Sequence, residues 1–182
     1  MLCATWIIAF AGVLAALAAI ASALYVRKGI AEQTRNFEKQ TTAYQLSLSV
    51  EMALRLDQQF NQIEFRKIRS LAAKALLYHA NEGIAEDIFD FFDSIGLFVK
   101  LGAFRDEIAH SYFFHWINLY WHAGKQHIGM KQKETSEVWK DFETLYRKVC
   151  AIEKRKNPES DDLKMPTERL REQLQDEADL LE

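Results

Sequence analysis

The sequence predicts an all-α protein, with one N-terminal transmembrane helix followed by a helical bundle. Glycine and proline, which interrupt helices, number only 7 and 2 among 182 residues. Apolar side chains recur at helical spacing through most of the chain after residue 58. The first 26 residues contain no charged side chain. These three observations together favour helices throughout the chain and place the first helix in lipid.

The N-terminal segment reads MLCATWIIAFAGVLAALAAIASALYV, residues 1–26. As a helix it would span about 39 Å, which exceeds the roughly 30 Å hydrocarbon core of a bilayer. Trp6 and Tyr25 lie near its two ends, where interfacial aromatic residues are enriched. Arg27 and Lys28 follow directly, and no basic residue precedes the span. The positive-inside rule therefore predicts a single pass with the N-terminus outside and the C-terminal domain in the cytoplasm.

A cleaved signal peptide is the competing interpretation of this segment. The small residues at 21–23, ASA, resemble a cleavage site. However, no positive charge precedes the apolar run, and the run is longer than a normal signal-peptide core. Both features favour a retained transmembrane helix.

A ladder of small residues runs along the predicted span, at Ala11, Ala15, Ala19 and Ala23. Small residues four apart allow helix backbones to approach closely in lipid. The ladder predicts a homo-oligomer that packs through the membrane helix, and the alternative is an alanine-rich helix without a partner.

Residues 27–58 are predicted to continue the helix as an extension or neck. They contain no proline, and Gly29 is their only glycine. Phe37, Tyr44, Leu48 and Met52 fall roughly on one stripe of that helix. Such a neck would hold the bundle away from the membrane or pack between subunits.

Residues 59–157 are predicted to form the bundle. Asn61 and Glu64 match a capping box that opens its first helix. The following helices are expected to end at Gly102, at Gly124 and before Pro158, with a polar connector over residues 123–136. The basic residues of the first helix are expected to form a solvated face: Arg66, Lys67, Arg69 and Lys74.

Residues 158–182 are predicted to end in an acidic amphipathic helix that opens at Pro166 and Thr167. Its apolar stripe consists of Leu170, Leu174, Ala178 and Leu181. Such a helix docks either on its own domain or on another subunit, and the sequence leaves both alternatives open.

The sequence contains no motif for a cofactor or a metal. No glycine-rich phosphate loop, nucleophile elbow or zinc motif is present. His115 and His122 are seven residues apart, which is too far for a shared zinc ion on one helix. The acids near the start of one helix are interpreted as a complement to its dipole: Glu86, Asp87, Asp90 and Asp93. The formal charge of −3 gives no sign of direct nucleic-acid binding.

Arg105 and His110, in the stretch RDEIAH at residues 105–110, are the candidate catalytic residues, and the alternative is that their side chains serve subunit packing or gating. Metal-independent RNA cleavage needs a proton-transferring group, which histidine supplies, and a cation on the phosphate, which arginine supplies. Five residues rotate about 140° on an ideal helix, so the two side chains do not share a face. A working site would need an irregular helix start or a second subunit.

RDEIAH resembles the R-x4-6-H motif of the HEPN superfamily, whose small helical bundles include ribonucleases that pair two copies. The stretches FNQIEFRKIRSLAAKALL, IFDFFDSIGLFVKLGAF and HWINLYW resemble a bacterial family of membrane-anchored HEPN-like proteins. That family includes the Csx-class accessory proteins of type VI-B CRISPR systems. The resemblance covers roughly residues 5–155. It implies an inner-membrane protein of anti-phage defence that forms an oligomeric pore beside an RNA-guided RNA-cleaving effector.

Three hypotheses therefore follow from the sequence. The first is an oligomeric protein that permeabilises or perturbs the membrane lipid during defence. The second is a membrane-tethered ribonuclease that uses Arg105 and His110. The third is a non-enzymatic membrane scaffold that recruits a partner through its acidic tail.

Overall fold

The computed structural model describes residues 2–80, 82–159 and 161–181, with side chains from residue 22 onward except at residues 23, 24, 31, 82 and 162. The described residues contain no strand, which confirms the predicted all-α class. Two compact units divide the chain, Met1–Gln45 and Leu46–Glu182. The α-helices are α1 (Leu2–Asn61), α2 (Ile63–Tyr78), α3 (Glu86–Lys100), α4 (Asp106–Glu134), α5 (Lys140–Lys156) and α6 (Thr167–Ala178).

Proline and glycine mark three helix boundaries as the sequence predicts. Gly102 follows α3 with a φ of 71°, a backbone conformation that glycine adopts without a Cβ penalty. α5 ends at Lys156, directly before Asn157 and Pro158. α6 begins at Thr167 after Pro166. In each case the helix boundary falls beside the residue that the local sequence marks.

The predicted capping box before α2 is wrong. The residue that caps α2 is Gln62, and no side chain bonds to its first turn. Asn61 instead ends α1 and donates to the Asp57 backbone carbonyl at 2.9 Å. α1 therefore extends to the edge of α2, and only one residue separates them.

Aromatic side chains fill the core of the 46–182 unit. Phe60, from the last turn of α1, lies 5.3 Å from Phe91 and 6.1 Å from Phe113, measured between ring centroids. Phe92 stacks on Phe142 at 5.3 Å and joins α3 to α5. Such contacts add about 0.5–1.5 kcal/mol each beyond the area that they bury. The last turns of α1 are thus part of the bundle core.

α3 and α5 approach each other closely at Gly96. A Cβ added at Gly96 would lie 2.2 Å from the Asp141 carbonyl oxygen, so only glycine fits there. Asp93, one turn earlier, accepts a hydrogen bond from the Phe142 backbone N–H at 2.8 Å. This bond satisfies one of the free donors at the start of α5.

α4 is longer than predicted, because Gly124 does not end it. The helix continues to Glu134, and the predicted polar connector over residues 123–136 is mostly helical. Gly124 is buried against Phe89, whose Cζ atom would lie 2.2 Å from an added Cβ. This glycine makes room for an aromatic ring and is not a helix stop.

The acidic tail helix α6 docks on α2 of its own chain. Arg69 donates to both carboxylate oxygens of Glu177, at 2.8 and 2.6 Å. Tyr120 donates to the same carboxylate at 3.0 Å, and Ser70 donates to the Ala178 carbonyl at 2.6 Å. The docking is thus specified by buried polar contacts as well as by apolar packing.

Arg69 therefore does not belong to a solvated basic face. Its exposed fraction is 2%, and its guanidinium lies 4.0 Å from the Phe60 ring centroid and 4.5 Å from that of Trp116. A third hydrogen bond joins Arg69 to the Phe60 carbonyl at 3.2 Å. Each guanidinium nitrogen thus has a hydrogen-bond partner, which burial of an arginine requires because an unpaired buried charge is strongly unfavourable.

Candidate functional site

Arg105 lies at the start of α4, where it is the N-cap residue. Its backbone is extended, and its carbonyl accepts the first hydrogen bonds of the helix from Ile108 and Ala109. Its side chain is half exposed and pairs with Glu107 at 3.6 Å. The guanidinium is therefore accessible to an anion from solvent.

His110 lies one turn later and is nearly buried. Its Nε2 atom is 2.6 Å from a carboxylate oxygen of Glu153 on α5. The other oxygen of Glu153 accepts a hydrogen bond from Asn157 at 2.7 Å. The imidazole also packs on Phe114, at 5.1 Å between ring centroids. These contacts fix the orientation of the ring.

The contacts of His110 also indicate which of its ring nitrogens donates. The Nδ1 atom lies 3.4 Å from the Lys156 ammonium, which can only donate. Nδ1 is therefore the acceptor, and Nε2–H donates to Glu153. A carboxylate on one imidazole nitrogen with a lone pair on the other is the arrangement of an oriented general base. Lys156 is exposed, so its side chain can leave Nδ1 without disturbing the core.

The structure brings His110 together with Glu153 and Lys156 but not with Arg105. Among the described residues, Arg105 and His110 share no hydrogen bond or ion pair. This agrees with the helical geometry, which separates the two side chains around α4. Glu153, Lys156 and Asn157 give no signal in the sequence, because only the fold places the end of α5 beside the start of α4.

Two of the other three histidines of α4 have partners on other helices. His122 lies 3.1 Å from the Tyr146 hydroxyl, and His127 lies 3.1 Å from Glu86. Burial, followed by the charge of Lys125, lowers the pKa of His122. Among the residues that the structure describes, no three His, Cys, Asp or Glu side chains form a metal-binding group.

Two acids of α3 hold α5 in place. Asp90 accepts a hydrogen bond from the Trp139 indole at 2.7 Å, and Asp93 bonds to Phe142 as described above. Burial raises the pKa of Asp93 despite that bond. These acids have tertiary partners about fifty residues away, which the dipole interpretation of the sequence does not include.

The predicted small-residue ladder lies outside the described side chains. The backbone at Ala11, Ala15, Ala19 and Ala23 is helical, but the side chains of these residues are not among those described. Within the described part of the chain, no helix combines the length and hydropathy needed to cross a bilayer.

Residues 25–45 present an exposed apolar seam, which we define as Ile30, Phe37 and Tyr44. Their exposed fractions are 58%, 70% and 66%. The three side chains are seven residues apart and therefore share one face of the helix. The side chains from residue 32 to residue 43 are all exposed, so no described side chain of this stretch covers the seam. Large apolar side chains aligned in this way are typical of a helix that packs against another helix.

The fold and the site together define an all-α helical-bundle protein with a long N-terminal helix and an oriented histidine–glutamate pair. The chain belongs to the family described as Domain of unknown function (DUF4760), which it matches over residues 6–149. No curated protein and no solved structure matches the chain.

Proposed function

We propose that this protein is a membrane-anchored accessory protein of anti-phage defence that self-associates through its N-terminal helix and perturbs the inner membrane. The observation that supports this most directly is the exposed seam of Ile30, Phe37 and Tyr44. Burying three such side chains between copies removes a large apolar area from water. The helix itself is the element that would line or surround an oligomeric pore.

Self-association is tested with the full-length protein in a non-ionic detergent. Light scattering with size-exclusion chromatography is expected to give an oligomer, and the double variant F37S/Y44S is expected to shift it toward the monomer. The matched control is L101S, which removes an apolar side chain that is 69% exposed outside α1. A wild-type monomer at every concentration contradicts the proposal, as does an equal effect of L101S.

The membrane topology is tested with the two native cysteines, Cys3 and Cys150. A membrane-impermeant maleimide applied to intact cells is expected to label Cys3, which the positive-inside rule places outside. Cys150 is expected to stay unlabelled until the cells are opened and the protein is denatured, because its thiol is partly buried. C3S and C150S assign the labelled site. Labelling of Cys3 only after lysis contradicts an outside N-terminus.

The role in defence is tested in cells with an RNA-guided RNA-cleaving effector directed at a phage transcript. The efficiency of plaquing is expected to fall further when this protein is present with the effector, and to recover with F37S/Y44S. A change in dye entry into infected cells would report membrane permeabilisation. Equal plaquing with and without the protein contradicts the link to the effector.

A second candidate function is a membrane-tethered ribonuclease, which the Glu153–His110 pair favours. Nδ1 of His110 would accept the proton of a 2′-hydroxyl once Lys156 withdraws, and Arg105 of a second copy would bind the phosphate. The acidic tail offers less to a scaffold function, because the Glu177 side chain of α6 is already used within the chain.

The ribonuclease is tested with His110→Gln, which keeps a polar group beside Glu153 but cannot transfer a proton near neutral pH. RNA cleavage in the presence of a chelator is expected to fall about 10²–10⁴-fold. Mixing His110→Gln with Arg105→Ala is expected to restore part of the activity if the site forms between copies. The matched control is Lys154→Ala, a neighbouring exposed lysine. Equal cleavage by the wild type and His110→Gln contradicts this function.

A further inference from the structure

A cavity of about 420 Å³ opens between α2, α4 and α6, within the 46–182 unit. Its volume lies in the range of small-molecule sites, about 300–1,000 Å³. Its apolar lining is contributed by all three helices and consists of Leu76, Leu77, Ala123, Leu170 and Leu174. The cavity lies beside the contact between α2 and α6, and the buried Arg69–Glu177 pair holds those two helices together.

The polar lining of this cavity is basic. Among the residues that the structure describes, it includes Lys125, Arg171 and two histidines, His79 and His122, and no Asp or Glu. The chain as a whole has 26 acidic and 23 basic residues, so a lining without acids departs from its average charge. Lys125 and Arg171 are both exposed, and neither forms an ion pair with a carboxylate among the described residues.

We propose that this cavity binds an amphipathic anion, namely a medium-chain acyl carboxylate. The carboxylate would be held by Lys125 and Arg171, and the acyl chain would lie against the leucines. Lys125 and Arg171 can both donate charge-assisted hydrogen bonds to a carboxylate. The acyl chain has no polar atoms, so its burial against the leucines leaves no hydrogen-bonding group unsatisfied. This site goes beyond the proposed function and does not depend on whether the N-terminal helix spans a membrane.

The site is tested by photo-crosslinking of the full-length protein in a neutral detergent with a diazirine-bearing dodecanoic acid. Mass spectrometry is expected to locate the label in peptides that contain residues 76–79, 121–126 or 167–174. Unlabelled dodecanoic acid is expected to compete, and dodecanol is not. Across shorter acids, affinity is expected to rise about fourfold per methylene until the cavity is filled.

Variants separate the two halves of the site. Charge reversal in K125E/R171E is expected to weaken competition by about tenfold or more, since charge-assisted hydrogen bonds are lost. Ala123→Phe fills the cavity without changing charge and is expected to abolish the label. K154E is the matched control for charge, and helical content by circular dichroism checks the folding of each variant. The proposal would be overturned by labelling outside the cavity or by equal competition from dodecanol. Undiminished labelling of K125E/R171E and of Ala123→Phe would also overturn it.

Discussion

The 46–182 unit and residues 25–45 of the other unit differ in how far they bury their large side chains. In the first unit, eleven large side chains between Phe60 and Phe142 are fully buried in addition to Arg69, and each guanidinium nitrogen of Arg69 has a hydrogen-bond partner. In the second, Tyr25, Ile30, Phe37 and Tyr44 are all more than half exposed. The 46–182 unit therefore buries a core within one chain, whereas these four large side chains of the N-terminal helix stay exposed in a single chain.

The largest effect is expected at Glu177, whose removal tests whether the bundle depends on its buried ion pair. Glu177→Gln leaves the Arg69 charge buried without a counter-ion, and such changes cost about 3–5 kcal/mol. Urea unfolding followed by tryptophan fluorescence measures the loss. The triple variant R69M/Y120F/E177L replaces all three polar partners and is expected to recover much of it. A Glu177→Gln protein as stable as the wild type would show that the pair is not needed.

A smaller loss is expected from Gly96→Ala, which tests the close contact between α3 and α5. The new Cβ would collide with the Asp141 backbone, and overpacking of this kind costs about 1–3 kcal/mol. Gly129→Ala is the matched control, because Gly129 lies in α4 with no atom within 4 Å of an added Cβ. The control is expected to gain up to about 1 kcal/mol from helix propensity. Equal unfolding midpoints for the two variants would mean that α3 and α5 can separate freely.

A modest pH dependence is expected from His122, which faces Tyr146 and Lys125. Because burial lowers its pKa below the usual 6.5, the folded protein binds fewer protons at this site than the unfolded protein. The contribution of His122 to stability is therefore fully present above about pH 6.5 and is lost as the pH falls below that value. The unfolding free energy of His122→Gln is expected to fall less than that of the wild type between about pH 7.5 and pH 5.5. His115→Gln serves as control, and parallel pH profiles for His122→Gln and the wild type would argue against this assignment.

The smallest effect on unfolding is expected from F37S/Y44S, the variant that disrupts association. Because both side chains are exposed in the 25–45 unit, the unfolding free energy of the bundle is expected to change by less than about 0.5 kcal/mol. The same denaturation experiment measures it. A large loss of stability would mean that the seam packs in the bundle and that its side chains are not exposed.

The sequence predicts this fold best where local chemistry decides. Gly102, Pro158 and Pro166 mark helix boundaries because their backbone preferences act without help from distant residues. Gly124 misleads, since a glycine that accommodates Phe89 has the same sequence signal as one that ends a helix. Periodicity shows that α2 is amphipathic, but it cannot show that Arg69 meets an acid 108 residues later.

In the candidate site, too, only the residues with a local sequence signature can be predicted. Arg105 is recognisable from its position before the acids that open α4, because helix starts have a local signature. The Glu153 partner of His110 is not recognisable, since it lies 43 residues away on a helix with acids and bases all along its length. A local sequence pattern can therefore identify His110 as a candidate, but it cannot identify the carboxylate that orients its ring.

Glu177 follows Arg69 by 108 positions in the chain, and this separation sets the order of events during synthesis. At about 5–20 residues per second, a ribosome needs roughly 5–20 s to make the second partner after the first. Throughout that interval the Arg69 charge has no counter-ion, so α2 cannot settle into its final packing. The N-terminal helix emerges long before then. On this schedule the N-terminal helix of each nascent chain is complete well before its bundle can close.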